Sequence, residues 1–477
     1  MKKIFLASLA LAAYSATLTS CKKDTDTTPV VVDTTDAFNY TALRSARTAN
    51  NTAYAEPANG ELSGTIKTNT VLKTGKTYLL KGFVYVAGGA TLKIEPGVVI
   101  KGDKASKGSL IITRNGKIDA QGTAAAPIVF TSAEASPNYG DWGGIILMGN
   151  STNNGSYNGT TGLQEIEGGV NTSAGYGLHG GTDVADNSGI MKYVRIEYPG
   201  IAYQVNNEIN GLTFGSVGSG TTIDYIQVYK SGDDSYEWFG GTVNCKHLIA
   251  YAGTDDDFDT DNGFSGKIQY GIAFRDPAVY DVATGGTSNA FESDNDGNGS
   301  TATPLTAAVF SNMTLIGPKA NNANPPSGFG RGAHIRKNSS QSVFNSVFVG
   351  WNTGLRVDGK ATAEHFISGN AQFQNNLVVA AGKLADTAGG ASNASTAMDP
   401  ALFFLTTAQA NTALPNLSDA MLVSLVMNAG FNPAPMAGSP ALTGAAFNSG
   451  KLSGLETVTY RGALKAGDTW HTGWTKW

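Results

Sequence analysis

From about residue 61 to residue 382 the chain alternates short apolar runs with Gly/Asn-rich turns, and no 3.6-residue periodicity runs through it. Seven runs can be superimposed: Met191-KYVRIEY, Ile223-DYIQVYK, Cys245-KHLIAYA, Ile268-QYGIAFR, Phe310-SNMTLIG, Phe344-NSVFVG and Phe373-QNNLVVA. Their matched positions are Tyr193, Tyr225, His247, Tyr270, Asn312, Asn345 and Asn375, separated by 32, 22, 23, 42, 33 and 30 residues. The shortest interval reads as one structural unit and the longer ones as that unit with inserted loops. A coil of about 22 residues built of strands cannot bury its own apolar face, and stacking coils about 4.8 Å apart both buries it and pairs the backbone. The pattern predicts an all-β parallel β-helix, a solenoid over 61–382. A leucine-rich repeat would need a Leu-x-x-Leu-x-Leu pattern that is missing, and a β-propeller, the second choice, would need longer repeats with hairpins.

Past residue 383 the pattern changes. Asp399 to Asn428 spaces Leu, Phe, Met and Val as a helix would, broken at Pro415, and predicts one or two helices covering the end of the solenoid. Residues 383–477 are thus expected to be a short helical segment and a C-terminal cap. The tail carries Trp470, Trp474 and Trp477, expected as a hydrophobic plug on the last coils, with a sugar-stacking platform as the alternative.

At the other end, Lys2 and Lys3 precede an apolar stretch, Ile4 to Leu18, too short for a membrane span. Leu18-Thr19-Ser20-Cys21 resembles the lipobox of bacterial lipoproteins. That resemblance implies a signal peptide over 1–20, lipidation at Cys21 and a membrane anchor of several acyl chains. Lys22 follows, not an Asp retention signal, so the outer membrane of a Gram-negative bacterium is the expected location, with the protein surface-exposed. Residues 21–60, rich in Thr, Asp, Asn and Ala, read as a flexible tether.

Composition narrows the function. Among 477 residues, 60 are Gly and only 15% are charged, which suits many short strands and turns. The formal charge is −5, or −5 − 2 = −7 without Lys2 and Lys3, which argues against nucleic acid as a partner. With Cys21 committed to lipid, Cys245 has no partner and no disulfide framework exists. Cys245 and His247 fall at i and i+2; a small buried thiol is expected there in preference to half a metal site.

Residues 82–102, 109–132 and 141–149 resemble the N-terminal coils of right-handed β-helix proteins of the pectate-lyase type, and Pro435-MAGSPALTGA resembles their C-terminal region. Gly181-TDVADNSGIMKYVRIEY and Gly232-DDSYEWFGGTVNCKHL are similar to a family of large bacterial surface lipoproteins sharing this fold. The resemblance covers most of 61–477 and implies a right-handed solenoid more directly than an activity.

The candidate chemistry is acidic. Residues 253–263, GTDDDFDTDNG, hold five carboxylates. Aligning the quartets 236–239, 258–261, 291–294, 335–338 and 355–358 by their inward apolar first residue sends the second and fourth outward. One outward column reads Glu237, Asp259, Glu292, Arg336, Arg356; its neighbour reads Phe239, Asp261, Asp294, Asn338, Asp358. Glu208 is expected to extend the first column by one coil. Carboxylates about 4.8 Å apart repel by roughly 3 to 4 kcal/mol per pair at an effective dielectric of 20. Water, arginines or a cation must relieve that. Asp257-x-Asp259-x-Asp261 and Glu292-x-Asp294-x-Asp296-Gly297 place acids at alternate positions, as calcium loops do, although neither is an EF-hand. Calcium held by Asp257, Asp259, Asp261, Glu292, Asp294 and Asp296 is the first choice, a solvated acidic turn the second. Asp233 and Asp234, with Asp255 and Asp256 one 22-residue period later, are further candidates for the same face, and Asp183 and Asp186 lie in another polar loop; turn chemistry is the expected reading for all of them.

Two functions follow. The first is a calcium-dependent glycan-binding or scaffold role, with Glu237 and Arg356 as binding residues and an extended glycan or another envelope protein as partner. The alternative is a calcium-dependent polysaccharide lyase acting on uronate chains. The resemblance to pectate lyases implies for it Arg336 as the catalytic base, although an arginine is a poor base unless tightly held. In a third reading the acidic loops only stabilise the solenoid. No polygalacturonase signature and no Ser–His–Asp nucleophile motif accompany these residues.

Overall fold

The computed structural model of the protein describes residues 53–477 except 171, 205–206, 283–285, 392–393, 395–398 and 429. The expected signal peptide, the expected lipidation residue Cys21 and nearly all of the expected tether therefore lie outside the described residues.

Among the described residues, one sheet of 26 strands, paired in parallel throughout, winds into a right-handed β-helix. Its strands form three ladders. The first runs from Thr70–Leu72 through Thr91–Ile94 and Lys117–Gln121 to Phe373–Gln374. The second runs from Thr77–Leu80 to Thr412–Leu414. The third runs from Phe83–Val86 through Ser109–Ile112, Ile145–Met148, Leu212–Val217, Tyr236–Gly241, Phe258–Asp261, Phe291–Ser293, Arg331–Ile335 and Thr353–Asp358 to Lys383–Ala388.

The seven matched positions are the corner between the first and second ladders. Each is one residue with positive φ: Tyr193 at 49°, Tyr225 at 55°, His247 at 49°, Tyr270 at 66°, Asn312 at 56°, Asn345 at 51° and Asn375 at 57°. Asn tolerates this left-handed conformation because its short amide bonds locally. The aromatic residues offset the strain by stacking, with centroids 4.3 Å apart for Tyr193–Tyr225 and 4.2 Å for Tyr225–His247. Inside the coil a second aromatic stack fills the core: Phe214 on Trp238 at 5.2 Å and Tyr236 on Phe258 at 5.4 Å. Cys245 is buried beneath this corner, and His247 turns outward to Asp224 at 2.8 Å, so the two do not share a face.

Three expectations are corrected. The parallel ladders continue past 382, through Lys383–Ala388 and Thr412–Leu414. The helical spacing over 399–428 yields only one short α-helix, Pro400–Phe404, a 3₁₀ turn and short strands. A longer helix, Lys360–Ser368, occurs where none was expected; its Phe366 and the buried Phe404 meet at 5.3 Å beside Phe373. The tryptophan tail does not plug the last coils. It lies along the flank of the second ladder, with Trp474 0% exposed against Tyr193, Trp470 on His247 at 4.9 Å and Trp477 on Tyr251 at 5.3 Å. The cause is that both faces of this ladder are apolar: Ile249, Ile272, Phe274 and Ile316 point outward and are covered by the segment with Phe431, Ala463, Leu464 and Trp474.

Candidate functional site

The outward column of the third ladder reads, coil by coil, Tyr85, Ile111, Ile146, Thr213, Glu237, Asp259, Glu292, His334, Arg356 and Asp386. Its upper part is apolar and is covered by the insertion carrying Ile166, Val170 and Tyr176. Its lower part is charged. Glu237, Asp259 and Glu292 stand in direct register, as the alternation predicts.

His334, not Arg336, follows Glu292. The register differs from the expected alignment by two residues: Ala333 and Ile335 both face inward, and Ala333, not the larger Ile335, is the counterpart of Phe291. Arg336 reaches back all the same: its guanidinium pairs with Glu292 and, at 2.7 Å, with Asp294. Burial works to lower its pKa, but Asp294 and Glu292 outweigh that and push it higher. Arg356 does occupy the column, paired with Asp386 at 2.6 Å. Glu208 sits in a hairpin outside the ladder, and Thr213 takes the place above Glu237.

The remaining expected ligands separate. Asp257 points away from the column into an ion pair with Arg275 at 3.1 Å, both 0% exposed. Asp294 is occupied by Arg336 and by Lys337 at 2.8 Å. Asp296 caps its own loop, accepting from the Asn298 and Ser300 amides at 2.9 and 3.0 Å. Burial works against ionisation there, but the bonds from Ser300 hold the carboxyl below its usual range. Asp261 accepts its neighbour's amide at 2.6 Å and is pushed up to about 7 by burial and Asp294.

Three groups of carboxylates converge instead: Asp233, Asp234 and Asp255; Asp234, Glu237 and Asp259; and Asp256, Asp259 and Glu292. In each, one oxygen per residue lies within 4.8 Å of the others. Asp233, Asp234, Asp255 and Asp256 are thus part of the face and not merely turn residues. Their signal was present in the sequence: Asp233-Asp234 recurs 22 residues later as Asp255-Asp256, three residues before each column acid. They also have a structural task. Asp234 accepts the Asp256 amide at 2.7 Å, and Asp256 accepts the Asn289 amide one coil on. Each uses one oxygen for this ladder.

Burial is the first cause of the site's electrostatics. It raises Asp234, Glu237, Asp256 and Asp259 well above the carboxylate range, and neighbouring acids add to it: Asp255 for Asp234 and Asp256, Glu167 for Glu237, Glu292 for Asp259. Asp255 and Glu167 are pushed up to about 7 by burial, helped by Asp281 and Glu208 respectively. Glu237 is only 7% exposed and bonds Asn210. The Asp259 Oδ1 atom is buried with no hydrogen-bond partner among the described residues. Such an arrangement of oxygens favours protons or a hard cation.

No curated protein and no solved structure matched in comparison. A family profile, the pectate-lyase-like β-helix domain, matches residues 64–421. That span holds every rung of the acidic column, and with the parallel ladders described above it fixes the affiliation: the chain belongs to the pectate-lyase-like β-helix domain family.

Proposed function

We propose that this protein is a lipid-anchored β-helix of the bacterial outer membrane that binds an extended glycan in a calcium-dependent way. The observation that carries this reading is the convergence of Asp234, Glu237 and Asp259, and of Asp256, Asp259 and Glu292, along one face. Calcium takes six to eight oxygens at 2.3–2.6 Å, and adjacent coils can supply them jointly. A β-helix repeats a chemical feature at every coil, so ions held on successive coils would present a row of sites to a polyanionic chain. The anchor rests on the Leu18–Cys21 motif alone.

The lyase alternative is disfavoured by Arg336. A base must give up a proton, and this guanidinium is held charged by two carboxylates. The test uses the full chain in detergent, uronate-containing polysaccharides and calcium. Binding that chelator abolishes, without new absorbance from unsaturated product, supports the proposal. Product formation that is lost in Arg336→Ala overturns it in favour of the lyase.

A further inference from the structure

The outer face of the first ladder changes character along the solenoid. On its later coils it is apolar, and the segment before the tryptophan tail covers it: Val309 and Phe344 pack against Phe447, Leu452 and Leu455. On the three preceding coils it is polar. Ile223, Cys245 and Ile268 stand in register and are buried in the core, so alternation turns their neighbours outward. One outward column is Thr222, Asn244 and Lys267, and the next is Asp224, Lys246 and Gln269. Their side chains repeat about every 4.8 Å along the axis, and the columns stand about 7 Å apart.

The C-terminal segment crosses this polar face. Lys267 Nζ donates to the Ser453 carbonyl at 2.5 Å, Gln269 exchanges hydrogen bonds of 2.8 and 2.9 Å with the Glu456 backbone, and Lys246 pairs with the Glu456 carboxylate. Between this segment and the ladder a cavity of about 350 Å³ remains, with Leu455 on one side and Thr222, Asp224, Asn244, Lys246 and Lys267 on the other. Its polar groups are only partly used. Asn244 Oδ1 accepts from the Lys267 amide at 2.9 Å, but its amide N–H groups and the Thr222 hydroxyl make no hydrogen bond among the described residues. Asp224 gives one oxygen to His247 at 2.8 Å, and its other oxygen lies 3.7 Å from Lys192, beyond hydrogen-bond reach. Lys267 keeps two N–H donors and has no carboxylate partner among the described residues, so it is the uncompensated charge of the cavity.

We propose that this cavity binds a sugar residue carrying one anionic substituent. Ring hydroxyls donate and accept at once, which matches the open Asp224 oxygen on one side and the Asn244 N–H groups and Thr222 hydroxyl on the other. The C–H face of a sugar ring suits Leu455. A single ammonium is a point charge and takes a carboxylate or a phosphate ester alike. The volume lies in the range of small-molecule sites, about 300–1,000 Å³. The site lies on a different ladder from the acidic column, shares no residue with it and needs no metal, so it does not rest on the calcium reading.

The test is calorimetry on the full chain in detergent and chelator, with glucose 6-phosphate, glucuronate and glucose. At least one of the two anionic sugars is expected to bind, at least about 10-fold more tightly than glucose; which of them does so identifies the acid group. Lys267→Gln keeps a donor for Ser453 and should bring the anionic sugar down to the affinity of glucose. Asn244→Trp, at an exposed position, should fill the cavity and abolish binding. Both variants should keep the melting temperature of wild type. No binding of either anionic sugar to wild type overturns the proposal, as does glucose binding as tightly as both, a ranking that does not depend on how the variants fold. Binding that survives Asn244→Trp overturns it too. A calcium response without sugar binding in chelator removes this inference and leaves the calcium reading; sugar binding in a protein indifferent to calcium does the reverse.

Discussion

Arg275 and Asp257 form an ion pair at 3.1 Å in which neither side chain has any exposure. Arg275 also donates to the carbonyls of Gly253, at 3.0 Å, and Asn289, so it ties together the loops leading into two successive coils. Burial pushes Asp257 up to about 7 even against the arginine.

Removing one partner strands the other charge. Arg275→Met is expected to lower stability by about 3–5 kcal/mol. The double change Asp257→Leu/Arg275→Met should recover part of that and not all, because the Gly253 carbonyl loses the arginine's hydrogen bond, while the Asn289 carbonyl still accepts from the backbone amide of residue 257. Chemical denaturation of the three variants measures both effects.

Asp259 is the acid shared by two of the convergent groups. Asp259→Asn removes its repulsion with Glu237 and Glu292, each about 3 kcal/mol before solvent screening. At pH 8 in chelator the variant is expected to be more stable than wild type by about 1–3 kcal/mol. It should also lose most of the calcium-induced rise in melting temperature. A variant less stable than wild type in chelator would mean that Asp259 is paired in the metal-free fold.

The carboxyls of Glu167, Asp255 and Asp261 sit at about 7 in the fold, against about 4 in an unfolded chain. A raised folded value means that folding favours the protonated form. The stability so gained is fully present below about pH 4 and is lost as pH rises through about 7. Without divalent ions the melting temperature is therefore expected to fall between pH 5 and pH 8. Calcium should restore it at pH 8 and do little at pH 5, where protons already occupy the oxygens.

Arg336 neutralises Glu292 and Asp294. Arg336→Ala is expected to strengthen calcium binding several-fold, seen as a lower calcium midpoint in a thermal titration. An unchanged or weaker midpoint would mean that Arg336 orients those carboxylates and does not compete for them.

The tail is held by its tryptophans. Trp474 is 0% exposed, and its backbone carbonyl accepts from Arg195 at 3.1 Å. Trp474→Ala is expected to cost about 3–5 kcal/mol and to open residues 463–477 to protease. The calcium response should persist, because the acidic column lies on a different ladder.

Much of the site was legible because alternation is a local rule. Phe258 inward forces Asp259 outward, and the same holds for Tyr236–Glu237 and Phe291–Glu292. The rule fails just outside the strands. Asp257 precedes its strand and is drawn to Arg275, eighteen residues on; Asp296 belongs to a loop that satisfies it internally. Alternation also leaves the register uncertain by two whenever two inward positions are apolar, which is how His334 stayed hidden behind Arg336.

The sequence by itself determined the solenoid, its corner residues and the sign of its charged face, because strand periodicity and turn chemistry act over a few neighbouring residues. Only the tertiary structure decided which acids meet, which are neutralised, and that the tryptophan tail lies on the flank. Those outcomes depend on contacts between residues 22 to 279 positions apart, such as Glu237 with Asp259 and Glu197 with Lys476. The lengths of the intervening loops, which no local rule constrains, set that alignment.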